Sequence, residues 1–283
     1  MVERRFTVIP GGAAAEEAAD AGSWRIALSR PGQVAPEAVV AWRALLTRVG
    51  APDAVFADPD YLQAAAQHCA AGREVVFALA STGTGAATTL RAAVALTVPH
   101  PLWGRGRFAP WHPRGHTVAP AVEARFANDL QVALAGHLRG LRRNAVLDLG
   151  PIAHHRPPGR PTLSAVSGLP RIPARDLIDV GGPSAAVRER IVEPHRIRDA
   201  VEEFLVLDAA HAARPILDDP SEASFVRVVT RLFARRQRAA VDLSRRHDHV
   251  VDAVLRLGAG PQAVVWRRAF VGMDAAERRG RSA

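Results

Sequence analysis

The chain contains no lysine, and all 37 of its basic residues are arginine. It has one cysteine, one tyrosine and two methionines, with asparagine only at Asn128 and Asn144. The single Cys69 forms no internal bridge, so a disulfide-stapled secreted fold gains no support. Long hydrophobic runs are also missing. The longest uncharged stretch, Val75 to Leu90, is too short and too rich in Ser, Thr and Gly for a bilayer span, and Arg91 closes it. The start places Arg4 and Arg5 before only a few apolar residues, so no signal peptide is read and a cytoplasmic protein is expected. Aromatics make up only 5% of the sequence.

What is present is a chain of 283 residues, 48% apolar and 23% charged, which excludes a disordered tail and a collagen-like fibre. That length suits one large domain or two of ordinary size. The net charge of +9 and pI near 11.3 invite a nucleic-acid reading. Exclusive arginine in an alanine-heavy chain reads as coding bias as much as selected charge. From residue 188 onward there are 18 arginines against 14 acids, and before it 19 against 14. The excess is even along the chain, which argues against nucleic acid as a partner.

Periodicity gives the organisation. After a small, polar leader (1–22), Trp24 to Leu28 alternates as a strand. Pro36 opens a helix with Val39, Val40, Trp42, Leu45, Leu46 and Val49 on one side, and Asp58-Pro59 starts a second. Glu74 to Ala80 and Thr88 to Val98 read as strands joined by the hairpin loop Ser81 to Ala87. Ala121 to Arg143 is expected to be helical, with Val122, Phe126, Leu130, Leu134, Leu138 and Leu141 on one stripe, leading into a buried strand at Ala145 to Gly150. Helix and strands together make a mixed α/β unit over 23–150. Seven prolines between 151 and 183 mark a linker.

In 184–283, Ser184 is expected to cap a helix that Pro194 interrupts. A second helix runs from His195 to Ala213 with Ile197, Val201, Phe204, Leu205 and Leu207 inward. Asp219-Pro220-Ser221-Glu222 starts a third as a capping box. This helix buries Phe225, Val228, Val229, Leu232 and Phe233, with Arg227, Arg231, Arg235 and Arg238 opposite. Strands follow at Ala239 to Leu243, Val250 to Leu257 and Ala263 to Phe270. No repeat of solenoid period is visible.

Two helices, then a helix with a basic face, then antiparallel strands is the order that begins the second domain in the CelD-like (cellulose-biosynthesis-type) branch of the GNAT acyltransferases. Val201-Glu-Glu-Phe-Leu-Val-Leu-Asp-Ala-Ala210 resembles that family's helix ending in Phe-Leu-x-Leu-Glu, and Phe225 with Arg227 resembles the opening of its next helix. Val264 to Phe270 is similar to its strand of aromatic, Lys, one residue, Ala and aromatic. Phe56-Ala-Asp-Pro-Asp-Tyr-Leu62 resembles its Phe-x-x-Pro-x-Trp-Leu segment. The resemblance implies a mixed α/β fold of tandem GNAT-like units, mostly antiparallel sheet flanked by helices. It also implies acyl transfer from acetyl-CoA or another acyl-CoA to a small-molecule or amine acceptor. The departures fall at the chemistry: His211-Ala-Ala-Arg214 stands where Gly-Trp-Lys-Gly is usual, Arg267 replaces the strand lysine, and Val271 replaces an acid. Only residues 271–283 follow the last strand, so the second unit reads as incomplete, truncated, or completed by a protein partner or a second copy.

The same resemblance puts Asp208 at an acidic position, making Asp208 and His211 the candidate proton-handling pair and Arg267 a CoA-phosphate or substrate contact. Other groups have plainer alternatives. Ser81-Thr-Gly-Thr-Gly85 lacks a P-loop ending and reads as a turn. His112 with His116, His154-His155, and His247 with His249 lack the setting of a metal site, and no metal is expected. Trp103, Phe108 and Trp111 with Arg105, Arg107 and Arg114 either anchor a loop or grip an anionic ligand. Three functions stay open: an acyltransferase, a catalytically silent scaffold of the same fold, and a nucleic-acid binder.

Overall fold

The computed structural model describes residues 24–51, 54–100, 106–113, 115–150, 186–260 and 263–272. The chain divides into two compact units, Met1–Pro158 and Gly159–Ala283. The polar leader, the proline-rich stretch 151–183, Ser184 and the last residues from 273 lie outside the described residues.

In unit 1 the alternation after Trp24 becomes β1 (Arg25–Ser29), antiparallel to β2 (Val75–Thr82). Two helices intervene. Pro36 occupies the first turn of α1 (Pro36–Val49), and Gly50 ends it in the left-handed region. Trp42, Leu45 and Leu46 are buried, but Val40 is 64% exposed, so the inward stripe is narrower than expected. Asp58 caps α2 (Pro59–His68) by accepting from the Asp60 amide at 3.0 Å. β2 returns into β3 (Thr89–Thr97). On the far edge of β3 lie two short strands, β4 (Arg107–Pro110) opposite Leu96 and Thr97, and β5 (Ala121–Val122) opposite Ala92 and Ala93.

The helix expected from Ala121 is therefore shorter. α3 spans Ala127–Leu141, after β5 and a 3₁₀ turn at Ala124–Phe126. Val122 and Phe126 fit the helical spacing, but the free edge of β3 captures the backbone first, and the Glu123 amide donates to the Arg91 carbonyl at 3.1 Å. α3 is the crossover to β6 (Val146–Leu147), which runs parallel to β4. Gly106 allows the close approach at the start of this pair. Its φ is +73°, and a Cβ there would run into the Asn144 carbonyl oxygen.

The sheet of unit 1 is covered on both faces. Leu130, Leu134 and Leu138 of α3 pack over Val76, Ala78, Ala80, Ala92, Val94 and Leu96. On the opposite face Phe77 meets Trp42 of α1 edge-on, with ring centroids 5.4 Å apart. Burial on both faces is why Val75 to Ala80 is a continuous apolar run rather than an alternating one.

Unit 2 opens with a strand, β7 (Val187–Ile191), where a helix is expected. Its five residues hold Arg188, Glu189 and Arg190, and the ladder to β8 draws them out. α4 (Pro194–His211) and α5 (Pro220–Ala234) follow, then the meander β8 (Ala239–Arg246), β9 (His249–Leu257) and β10 (Val264–Phe270). The strand order is β10-β9-β8-β7, every pair antiparallel. Ile197, Val201, Phe204, Leu205 and Leu207 of α4 are buried, as expected. Asp219 caps α5 by accepting from Ser221 and Glu222 amides at 2.9 and 3.3 Å. Arg238 lies beyond the end of α5, in the turn into β8.

Strand, two helices and three strands, in the order β1-β2-β3-β4 and again β7-β8-β9-β10, is one pattern laid down twice. The protein is thus mixed α/β, with antiparallel-rich sheets flanked by helices. Unit 1 continues the pattern with α3 and β6.

Candidate functional site

The residues named from sequence sit in unit 2, where Asp208 and Arg267 are bonded to its framework. Asp208 is 4% exposed, and its Oδ2 accepts from the Ile216 amide at 2.7 Å, tying the last turn of α4 to the 3₁₀ turn Ile216–Asp218. His211, one turn on, is half-buried at the end of α4. Arg267 on β10 donates to Glu222 Oε1 at 2.8 Å, and its guanidinium lies 5.6 Å from the Trp266 ring. Glu222 thus receives a strand guanidinium at the carboxylate that the capping box would use. The basic side of α5 is also partly engaged: Arg227 makes a bidentate pair with Glu202 on α4, both bonds 2.7 Å.

In unit 1 the aromatic and arginine stretch separates into two roles. Phe108 and Trp111 are 7% and 4% exposed, so they anchor this segment to the core. Arg107 pairs with Asp148 across the β4–β6 ladder. Trp103, Arg105 and Arg114 lie outside the described residues.

Around this segment is a small cleft lined by Trp42, Ala57 and Leu62 from the helical layer, Ala93 and Ala95 of β3, and Pro110, Trp111 and 118–121. Its free volume is about 10 Å³, room for about one water. Trp42 is 1% exposed, and its Nε1–H has no hydrogen-bond partner among the described residues. Such a donor costs about 1–3 kcal/mol when unsatisfied. Next in sequence to the lining residues Ala57 and Leu62, Phe56 and Tyr61 meet edge-on at 5.2 Å, and His116 stacks on Phe56 with centroids 4.0 Å apart. His112 Nδ1 accepts from the Val118 amide at 3.3 Å. Arg43 joins two carboxylates, with Nη2 2.6 Å from Asp60 and Nε 3.6 Å from the buried Asp58. Among the described residues no cluster of three or more His, Cys, Asp or Glu could hold a metal ion, and no helix is long and apolar enough to cross a membrane.

A second group lies just before α3. Glu123 is 13% exposed and takes Arg48 Nε at 3.0 Å, Arg91 Nη1 at 3.1 Å and Arg125 Nη2 at 3.6 Å. Three guanidiniums on one carboxylate leave a local excess of positive charge beside a helix start, where anions are stabilised. Asp129, exposed in the first turn of α3, opposes it. Sequence spacing gives no hint of this group. Its members come from α1, β3 and the turn before α3, and the β3–β5 pairing together with the packing of α1 on both strands brings them together.

No protein-family model matches the chain, and no curated protein matches it. Among solved structures it is similar to a tandem GNAT protein from the clavulanic acid biosynthesis pathway. That alignment covers 88% of this chain and 79% of the other, at 13% identity and a TM-score of 0.36.

Proposed function

We propose that the chain is a tandem GNAT-type acyltransferase whose first unit holds acyl-CoA and passes its acyl group to an amine. The observation that carries this reading is the β4–α3–β6 crossover. Its parallel ladder is only two residue pairs long, Arg107↔Val146 and Phe108↔Leu147, while the next two residues of β4 pair with β3 on the other edge. Two parallel strands that part so early leave few donors between them: Pro110 has no N–H and the Gly150 amide donates to Asp148 Oδ1 at 3.1 Å, so an acyl-CoA seated there would take over that amide to polarise its thioester carbonyl. The arginine group around Glu123, beside the start of α3, supplies positive charge for the CoA phosphates. A base must take the amine proton. Because the Asp208 carboxylate is occupied by the Ile216 amide, the reading favours His116, the imidazole stacked on Phe56, over Asp208 and His211.

One observation favours the silent scaffold instead. A cleft of about 10 Å³ accepts no acyl group unless the 111–120 segment moves. A thermal-shift titration with acetyl-CoA, with free CoA and a salt series as controls, separates the two. At about a hundred times its dissociation constant the ligand should stabilise the fold by about 2.7 kcal/mol. R48Q/R125Q should weaken that shift, while H116Q should retain it and lower acyl transfer about a hundredfold. A cooperative melt unmoved by acetyl-CoA overturns the acyltransferase reading and leaves the scaffold.

A further inference from the structure

The sheet of unit 2 has two chemically opposite faces. Arg245 reaches Glu203 on α4 and Arg267 reaches Glu222 on α5, so these residues mark the helix-covered face, together with Val241, Leu243, Ala253 and Leu255. Side chains alternate along a strand, so the neighbouring positions form the other face. On β7 these are Arg188 and Arg190; on β8, Ala240, Asp242, Ser244 and Arg246; on β9, His249, Asp252, Val254 and Arg256; on β10, the exposed Val265, Arg268 and Phe270. The corresponding face in unit 1 is apolar and lies under α3.

Arginine outnumbers acid on this face. Asp242 is shared by Arg190 at 3.4 Å and Arg256 at 2.7 Å, and Asp252 takes Arg268 at 2.9 Å. Arg188 and Arg246 are exposed and have no ion-pair partner among the described residues. With five arginines against two aspartates, this side of the sheet carries an excess of three positive charges. Phe270 stands at its β10 edge, half-buried, with the Arg268 guanidinium 5.3 Å from its ring.

We infer that this arginine face of unit 2 binds single-stranded nucleic acid, with Arg188, Arg190 and Arg246 on phosphates and Phe270 as a stacking platform. Planar guanidiniums on a rigid ladder suit phosphate oxygens, and an edge aromatic distinguishes a base from a carboxylate ligand. The inference stands apart from the acyltransferase reading, which concerns unit 1.

The test is fluorescence anisotropy of a labelled oligothymidylate with the full chain, from about 50 to about 200 mM salt. Three phosphate contacts predict a slope of log K against log salt of about −2, and R188Q/R246Q should reduce its size by about 1.4. F270L should weaken binding about fivefold or more. Each variant's melting temperature is compared with wild type, and the exposed arginine positions leave the core intact. Absence of binding at the lowest salt overturns the inference, as does binding that R188Q/R246Q leaves unchanged. Poly-glutamate competing as well as the oligonucleotide, with F270L inert, overturns it in favour of an acidic protein partner.

Discussion

Asp208 shows how a residue with the chemistry of a catalyst can be spent on structure. Its carboxylate, 4% exposed, accepts the Ile216 amide, and Ile216 is itself 8% exposed. D208A strands that amide and should cost about 2–3 kcal/mol. D208N keeps a carbonyl acceptor and should cost less than half as much; equal losses in denaturant melts would show that the charge, not the acceptor, holds the turn. Glu202 is a milder case. The hydrogen-bonded Arg227 holds its carboxyl below the ordinary 4.5, so the pair stabilises the fold above that pH. The stabilisation is lost as pH falls through the lowered value. Since Glu202 is 46% exposed, E202Q should cost only about 0.2–1 kcal/mol at neutral pH, and the difference from wild type should vanish in acid melts.

At the scale of the element, the caps do what their residue types dictate. Asp219 satisfies two orphan amides of α5, and D219A should lower stability by about 1 kcal/mol while D219N loses little; a fall of the same size in D219N would count against capping as the cause. Such starts were legible because proline at the first helical position and an acid before it are local signals. The meander was legible too. His247 and Asp248, with φ of 49° and 64°, form the two-residue turn between β8 and β9. What was not legible came from pairing over distance. β7 carries three charged residues in five, and only its ladder to β8 reveals a strand. β5 imitates the first turn of α3, because Val122 and Phe126 satisfy both periods until β3 offers its edge. The Glu123 group and the cleft beside Trp42 depend on contacts across tens of residues, which periodicity does not encode.

At the scale of the molecule, the repeated pattern of strand, two helices and three strands is expected from the family resemblance alone, because the two copies use different chemistry at equivalent places and periodicity does not reveal the repeat. Both sheets bury one face under a helix pair. Unit 1 adds α3, whose Leu130, Leu134 and Leu138 share one core with Ala78, Ala80 and Ala92. Unit 2 presents arginine and aspartate there instead. The consequence is a difference in how freely the two copies can change. In a saturation scan scored by folded yield, β2 should reject polar replacements at nearly every position from Val75 to Ala80, and larger residues at Ala78 and Ala80. β9 should reject them at Ala253, Val254 and Leu255 yet accept them at Asp252 and Arg256, where charged residues already stand. One copy is bound by packing on both sides, while among the described residues the other keeps Arg188, Arg246 and Arg268 exposed on one side, where new recognition can arise without disturbing the core.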